Sequence, residues 1–323
     1  IYHILELIFG IFEKSCSVVE KGCVIVYFSG IQKSVNKFDD SRLDYSTIQS
    51  CIELALQKFI RRTDIQTVLS SRTDAGVHAL HSTLHFDLIR RGEFPYNTSI
   101  LTSCLNRTLD KNKLPIRVLS SQIVPETFHC RYSAKARTYL YRFAVAKAEE
   151  VSSDSERKEY DCFIPIEEFD RCFFLRTSKF DIEHLQNASR MFLGRHDFRT
   201  FMSTSRQKSS SRDNPTFTVR YISKLNIVRA KSLAIGANAV EADRLYNYWN
   251  IEVTAKSFIY KQVRRMVGTL LALATGRIDE KCIYDMLRVP SKHSWNPRIP
   301  LAPACGLYLR RVHYNPEDFE VKC

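Results

Sequence analysis

Residues 46–88, STIQSCIELALQKFIRRTDIQTVLSSRTDAGVHALHSTLHFDL, pass through a helix, a short strand, a polar loop and a second strand. From Ser46 to Ile60 the apolar residues Ile48, Ile52, Leu56 and Phe59 recur on one helical face, and Ser46 and Gln49 have capping-box spacing. Val68 and Leu69 then give a short strand into SSRTDAGVHAL. In the strand expected over 80–88, Leu84, Phe86 and Leu88 alternate with His85 and Asp87. Outward from this block, Val24–Phe28 reads as a strand, 100–105 as a helix and 115–124 as a strand. The order recurs beyond Phe128. Tyr139, Tyr141, Phe143 and Val145 alternate along 137–146; a helix holds Leu185, Ala188 and Phe192 and stops at Gly194; strands cover 216–227 and 248–255. A long helix over 257–275 ends at Gly276, and Leu307 and Leu309 mark a last strand. Strands and helices in this order predict an α+β protein with two similar halves. Residues 149–161 and 202–214 read as surface loops, the second of them basic, and 1–23 show no clear period.

Composition narrows the class. Lys and Arg number 48 against 35 Asp and Glu, a formal charge of +13, which favours a polyanionic partner, most simply nucleic acid. An unspecialised basic surface would give the same figure. No apolar run is long enough to span a membrane. The opening IYHILELIFGIF has no basic n-region and no small-residue cleavage site. The ten cysteines are scattered and form no Cys-x-x-Cys pair, so they read as reduced thiols of an intracellular protein. His78, His81 and His85 lie on a strand pattern that does not gather them on one face, so no metal is expected. Nor is there a nucleotide-binding glycine loop, and no cofactor is expected.

Ser70–Gly76, SSRTDAG, is the chemically suggestive stretch, because it follows an apolar strand and ends in a turn glycine. That puts Asp74 on a loop at a strand end, with Arg72 two residues away. A surface Asx turn capped by Gly76 fits the same residues. Tyr139 reads as core packing beside Tyr141 and Phe143, or as a ring presented to a ligand. Arg264 falls at the margin of a stripe of Val263, Met266, Val267, Leu270 and Ala274, where it could enter a cleft or snorkel to solvent. Lys261 and Arg265 point towards the opposite face, to solvent or phosphate.

Arg72-Thr73-Asp74-Ala75-Gly76-Val77-His78-Ala79 resembles the signature of the TruA family of tRNA pseudouridine synthases. Four further stretches resemble the family's motifs in the same order. They are Phe128–Arg131 with Lys135–Tyr141, then Leu193–Phe198, Phe258–Gly268 and Ala302–Leu309. Ser71 and the Val263–Met266 segment resemble the animal pseudouridine-synthase-like branch. The family's first-strand turn is represented only by Phe28-Ser29-Gly30-Ile31-Gln32.

The resemblance implies two ferredoxin-like halves with antiparallel sheets facing a central basic cleft. The catalytic half would be 24–127 and the second half 128–315, with 1–23 atypical and 316–323 a tail. It implies a homodimer acting on uridine in structured RNA, tRNA first, and a mitochondrial address. Asp74 would be the essential carboxylate, Arg72 would hold flipped RNA, Tyr139 would stack on the base and Arg264 would contact Asp74. Lys261 and Arg265 would touch RNA. A catalytically inactive RNA-binding or ribonucleoprotein-assembly protein is the rival reading. The charge predicts that RNA affinity falls steeply with salt, each neutralised phosphate adding about −0.7 to −0.9 to the log–log slope. A filter-binding titration checks this, and a flat response would remove the electrostatic argument.

Overall fold

The computed structural model describes residues 2–9, 47–60, 65–87, 97–147, 164–177, 179–203 and 217–321. Ten strands and six α-helices follow one another among these residues. They are β1 (Tyr2–Phe9), α1 (Ile48–Ile60), β2 (Thr67–Leu69), β3 (His78–Asp87), α2 (Thr98–Lys111), β4 (Ile116–Val124), β5 (Ala136–Ala146) and β6 (Phe173–Leu175). After them come α3 (Ile182–Ser189), β7 (Gly194–Asp197), β8 (Val219–Arg229), α4 (Ala237–Leu245), β9 (Tyr246–Ala255), α5 (Gln262–Ala274), α6 (Glu280–Arg288) and β10 (Leu307–His313). The protein is of mixed α and β structure, as expected. It divides into two units, the first made of 1–137 and 308–323 and the second of 138–307.

In the first unit the strands run β4-β1-β3-β10, with β2 also on β3. β1 is antiparallel to both β3 and β4, so it is central. The sequence shows no clear period there, because IYHILELIF is nearly continuous in apolar residues and does not alternate. The strand expected over Val24–Phe28 lies outside the described residues, as do 149–161 and most of 202–214. β10 joins β3 in parallel, with Tyr308 opposite His78 and Leu309 opposite Ala79. The expectation of purely antiparallel sheets is corrected by this pair and by β6 on β5, also parallel.

Side chains fix the helices of this unit onto its sheet. The Thr47 hydroxyl accepts from the Ser50 N–H at 3.1 Å and starts α1, a cap one residue later than Ser46. Buried Glu53 accepts from the N–H and the hydroxyl of Thr67, both at 3.0 Å. Asn97 caps α2, which is longer than the stretch read from sequence, and Asn106 pairs with both main-chain groups of Val118. Phe128 and Cys130 pack in a cluster with Val124, Tyr314 and Phe319. That cluster, together with β10, ties residues 128–137 and 308–319 into the first unit.

The second unit orders its strands β5-β9-β8-β7, with β6 on β5. Glu168 is fully buried and is met by the Arg142 guanidinium through Nε at 3.1 Å and Nη2 at 2.5 Å, and by the Leu233 N–H at 2.6 Å. A buried ion pair holds only when its remaining valences are also met. Here Arg142 Nη2 reaches the Lys231 carbonyl as well, at 2.5 Å. α5 buries eleven of its thirteen residues, all but Arg264 and Arg265. It ends in a Schellman motif: the Arg277 N–H bonds the Ala272 carbonyl and the Gly276 N–H that of Leu273, with Gly276 at φ +72°. The sequence reading began this helix at 257; the observed start is Gln262, after Lys261 in a left-handed conformation.

At Gly268 a Cβ would stand 2.2 Å from the Pro300 carbonyl oxygen, a main-chain atom that cannot swing away. Gly268→Ala should therefore destabilise the protein by about 1–3 kcal/mol through overpacking. Urea unfolding measures it, and an unchanged midpoint would show that 298–302 yields freely.

Candidate active site

Asp74 sits on the loop between β2 and β3. Ser70, almost fully buried, anchors its start: the Ser70 N–H reaches the Thr83 carbonyl at 2.9 Å, and the Ser70 hydroxyl accepts from the Thr83 N–H at 3.3 Å. The other end closes as a turn, with the Val77 N–H on the Asp74 carbonyl at 3.2 Å and Gly76 at φ +75°. Gly is the residue that adopts this third turn position without strain. Between the two anchors Arg72 is exposed and Asp74 is half-buried. Beyond the turn, the His78 ring stacks on Tyr308 at 4.7 Å.

A residue given no role in the sequence reading secures the loop from behind. The Arg137 side chain is buried, and its Nη2 donates to the Ser70 carbonyl at 2.8 Å and the Arg131 carbonyl at 3.0 Å. It thereby ties the start of the Asp74 loop to the turn 128–135. Nothing in the sequence distinguishes Arg137 from a basic residue at the start of a strand, since the Ser70 carbonyl it holds is far away in the chain.

The other expected site residues lie in the second unit. Tyr139, on β5, is buried with its ring edge-on to Phe258 at 5.1 Å. Arg264 is half-buried, and its Nε donates to the Ala302 carbonyl at 2.7 Å, while its own carbonyl accepts from the Ala302 N–H at 3.3 Å. Arg265 is half-buried; its Nη1 donates to the Thr200 and Met202 carbonyls at 2.7 and 2.8 Å, and its guanidinium lies 4.4 Å from the Trp295 ring centroid. The carbonyls of the Arg199–Phe201 turn face that side of α5 and take up its donors. Lys261 places its ammonium 5.0 Å from the Tyr260 ring centroid.

Of the three strand histidines, only His85 joins a group with metal-ligating atoms, together with His129 and Cys130, all within 4.8 Å of one another. Its chemistry is that of a hydrogen-bonded cluster. The His85 Nδ1 accepts from the Cys130 N–H at 3.2 Å, and the His129 Nδ1 accepts from the Arg131 and Tyr132 N–H groups at 3.2 and 3.3 Å. Both Nδ1 atoms are thus already engaged as acceptors of main-chain N–H groups. Burial pushes the Cys130 thiol up to about 12, and its Sγ lies 3.2 Å from the Val68 carbonyl. The thiol is a buried donor rather than a nucleophile.

A family described as tRNA pseudouridine synthase matches residues 188–315. The human protein named tRNA pseudouridine synthase-like 1 is 34% identical over 271 residues, covering 83% of this chain and 81% of the relative. Its mouse counterpart is 32% identical over 82% and 83% of the two chains. The tRNA pseudouridine synthase A of Methylorubrum extorquens strain PA1 is 29% identical over 84% and 91%.

Burial first, and the neighbouring His129 second, hold His85 below the ordinary imidazole range, with Asp87 opposing. The unfolded chain then takes up the proton before the folded one does. The stabilisation from neutral His85 is present above about pH 6.5 and is lost as the pH falls below it. The melting temperature should be lower at about pH 5.5 than at about pH 7.5. His85→Asn, which keeps an acceptor for the Cys130 N–H, should narrow that gap. An unchanged gap would place the acid sensitivity elsewhere.

Proposed function

Since the chain belongs to the TruA family of tRNA pseudouridine synthases and is an RNA pseudouridine synthase, we propose that Asp74 is its essential carboxylate and uridine in tRNA its substrate. The enzyme is an isomerase. The uridine C1′–N1 bond breaks, the base turns, and a C1′–C5 bond forms while the C5 proton leaves and N1 takes one up. No oxidant or external group enters the balance.

The observation that carries the reading is the Asp74 loop itself: a half-buried carboxylate between a strand-anchored serine and a glycine turn, on the motif shared with the family. Such anchoring lets a carboxylate meet a sugar or base without first ordering its own backbone. Asp74 serves as nucleophile towards C1′ or the base, or as the base that removes a sugar proton. A stacked uridine hides both reacting carbons, so it must leave the stack at a cost of a few kcal/mol. Exposed Arg72 is suited to hold the opened strand. Tyr139 offers a ring to the flipped base, and the resemblance makes Arg264 the partner of Asp74. Lys261 remains available for phosphate, whereas Arg265 has only the donors not committed to Thr200 and Met202.

The same resemblance leads us to propose ferredoxin-like halves and a basic RNA-binding cleft, in a homodimer that works in mitochondria. The sheet-and-helix make-up of each unit and the +13 charge support the first part of that reading. No helix among the described residues is long and apolar enough to cross a membrane. The inactive RNA-binder is the weaker reading, because Arg72, Asp74, Tyr139 and Arg264 are all present.

With tRNA transcripts carrying tritium at uridine C5, wild-type enzyme should release the label. Asp74→Asn should lose at least about 100-fold in rate. It should keep its affinity for the RNA, since the side chain's size is preserved and a negative charge is removed. Release at the wild-type rate would make Asp74 structural.

A further inference from the structure

The turn that Arg137 ties to the Asp74 loop carries an aromatic ring that the fold does not use. Tyr132 is 76% exposed, the greatest exposure recorded for a large apolar side chain among the described residues. The turn holding it is rigid. The Tyr132 and Ser133 N–H groups bond the His129 carbonyl at 3.0 and 2.8 Å, and the Ser133 hydroxyl accepts from the His129 N–H at 3.1 Å. Cys130 beside it is fixed through its N–H to His85 and through its carbonyl, which accepts from the Tyr314 hydroxyl at 2.5 Å. The Tyr132 ring lies against His129, with centroids 4.2 Å apart and planes 34° apart, so one neighbour supports it while most of its surface faces water. Exposed Arg131 places its guanidinium 5.9 Å from the same ring centroid.

We propose that Tyr132, backed by His129 and flanked by Arg131, is a stacking platform for an unpaired nucleobase of the substrate RNA, tied by Arg137 to the loop that carries Asp74. The proposal rests on the RNA pseudouridine synthase reading and adds to it a nucleotide contact outside the reacting residues. A preformed exposed ring on a turn with fixed backbone suits stacking, because little order has to be gained on binding. The guanidinium next to it adds attraction for the base and for the phosphate that follows. Arg137 Nη2 holds the Arg131 and Ser70 carbonyls at once, so a base seated here stays in register with the Asp74 loop.

Tyr132→Ala and Tyr132→Leu should each weaken binding of unmodified tRNA transcripts by about 5- to 100-fold, the range for one lost base stack, and tritium release at limiting RNA should fall in parallel. Tyr132→Phe, which keeps the ring, should restore both. Arg131→Gln should lower the salt slope of binding by about 0.7–0.9. At 76% exposure neither Ala nor Leu should shift the melting temperature. Wild-type affinity in the Leu variant, or a loss in Phe equal to that in Ala, would overturn the platform while leaving Asp74-dependent release intact. A wild-type enzyme that neither binds these transcripts nor releases tritium would overturn the platform and the underlying reading together.

Discussion

A single nitrogen, Nη2 of Arg137, is shared by the carbonyls of Ser70 and Arg131, and the placement of the Asp74 loop depends on it. Burying a guanidinium is costly unless its donors are met, and bonds to a charged donor contribute more than neutral ones. The two carbonyls meet that need, and in return two loops remote in sequence are held to one point. The second unit repeats the device with different residues: Arg264 on Ala302, Arg265 on Thr200 and Met202, and Arg142 on Lys231 beside Glu168. Part of the basic excess is thus internal scaffolding. The share that can attract RNA is carried by exposed residues such as Arg72 and Arg131, so net charge alone overstates the electrostatic pull on a polyanion.

What was legible in the sequence follows from how local its cause is. The strand over 137–146, the apolar face of α1 and the glycine stop of α5 are set by near neighbours, and each is found where expected, although β5 is buried on both faces rather than on the alternating one alone. The Asp74 loop was legible too, because a strand end and a turn glycine bracket it. Three features were not. β1 is nearly continuous in apolar residues, so it offers no alternation to read. α4 and α6 were missed: both are short and rich in charge, and α4 presents only Ala242 to the core. The roles of Arg137 and Arg265 depend on carbonyls more than sixty residues away along the chain for Ser70, Thr200 and Met202, and no local pattern records such a partner. The family motifs pointed to the candidate site residues, but they did not say which arginines are committed to the fold.

The place of β10 in the chain has a consequence for how the protein is made. The first unit draws its β10 strand from residues after 307, whereas the second unit is one uninterrupted stretch, 138–307. During synthesis the second unit is therefore complete while β3 still lacks its parallel partner, and the edge that Tyr308 and Leu309 will cover stays open until they emerge. Parallel pairing between residues so distant closes a very long loop, which is slow. The nascent chain thus carries the Asp74 loop, already translated at residues 70–76, on a sheet that is not finished until residues 307–313 arrive. An open strand edge of that kind is a site for mispairing, and the order of synthesis makes it the natural point for a chaperone to act.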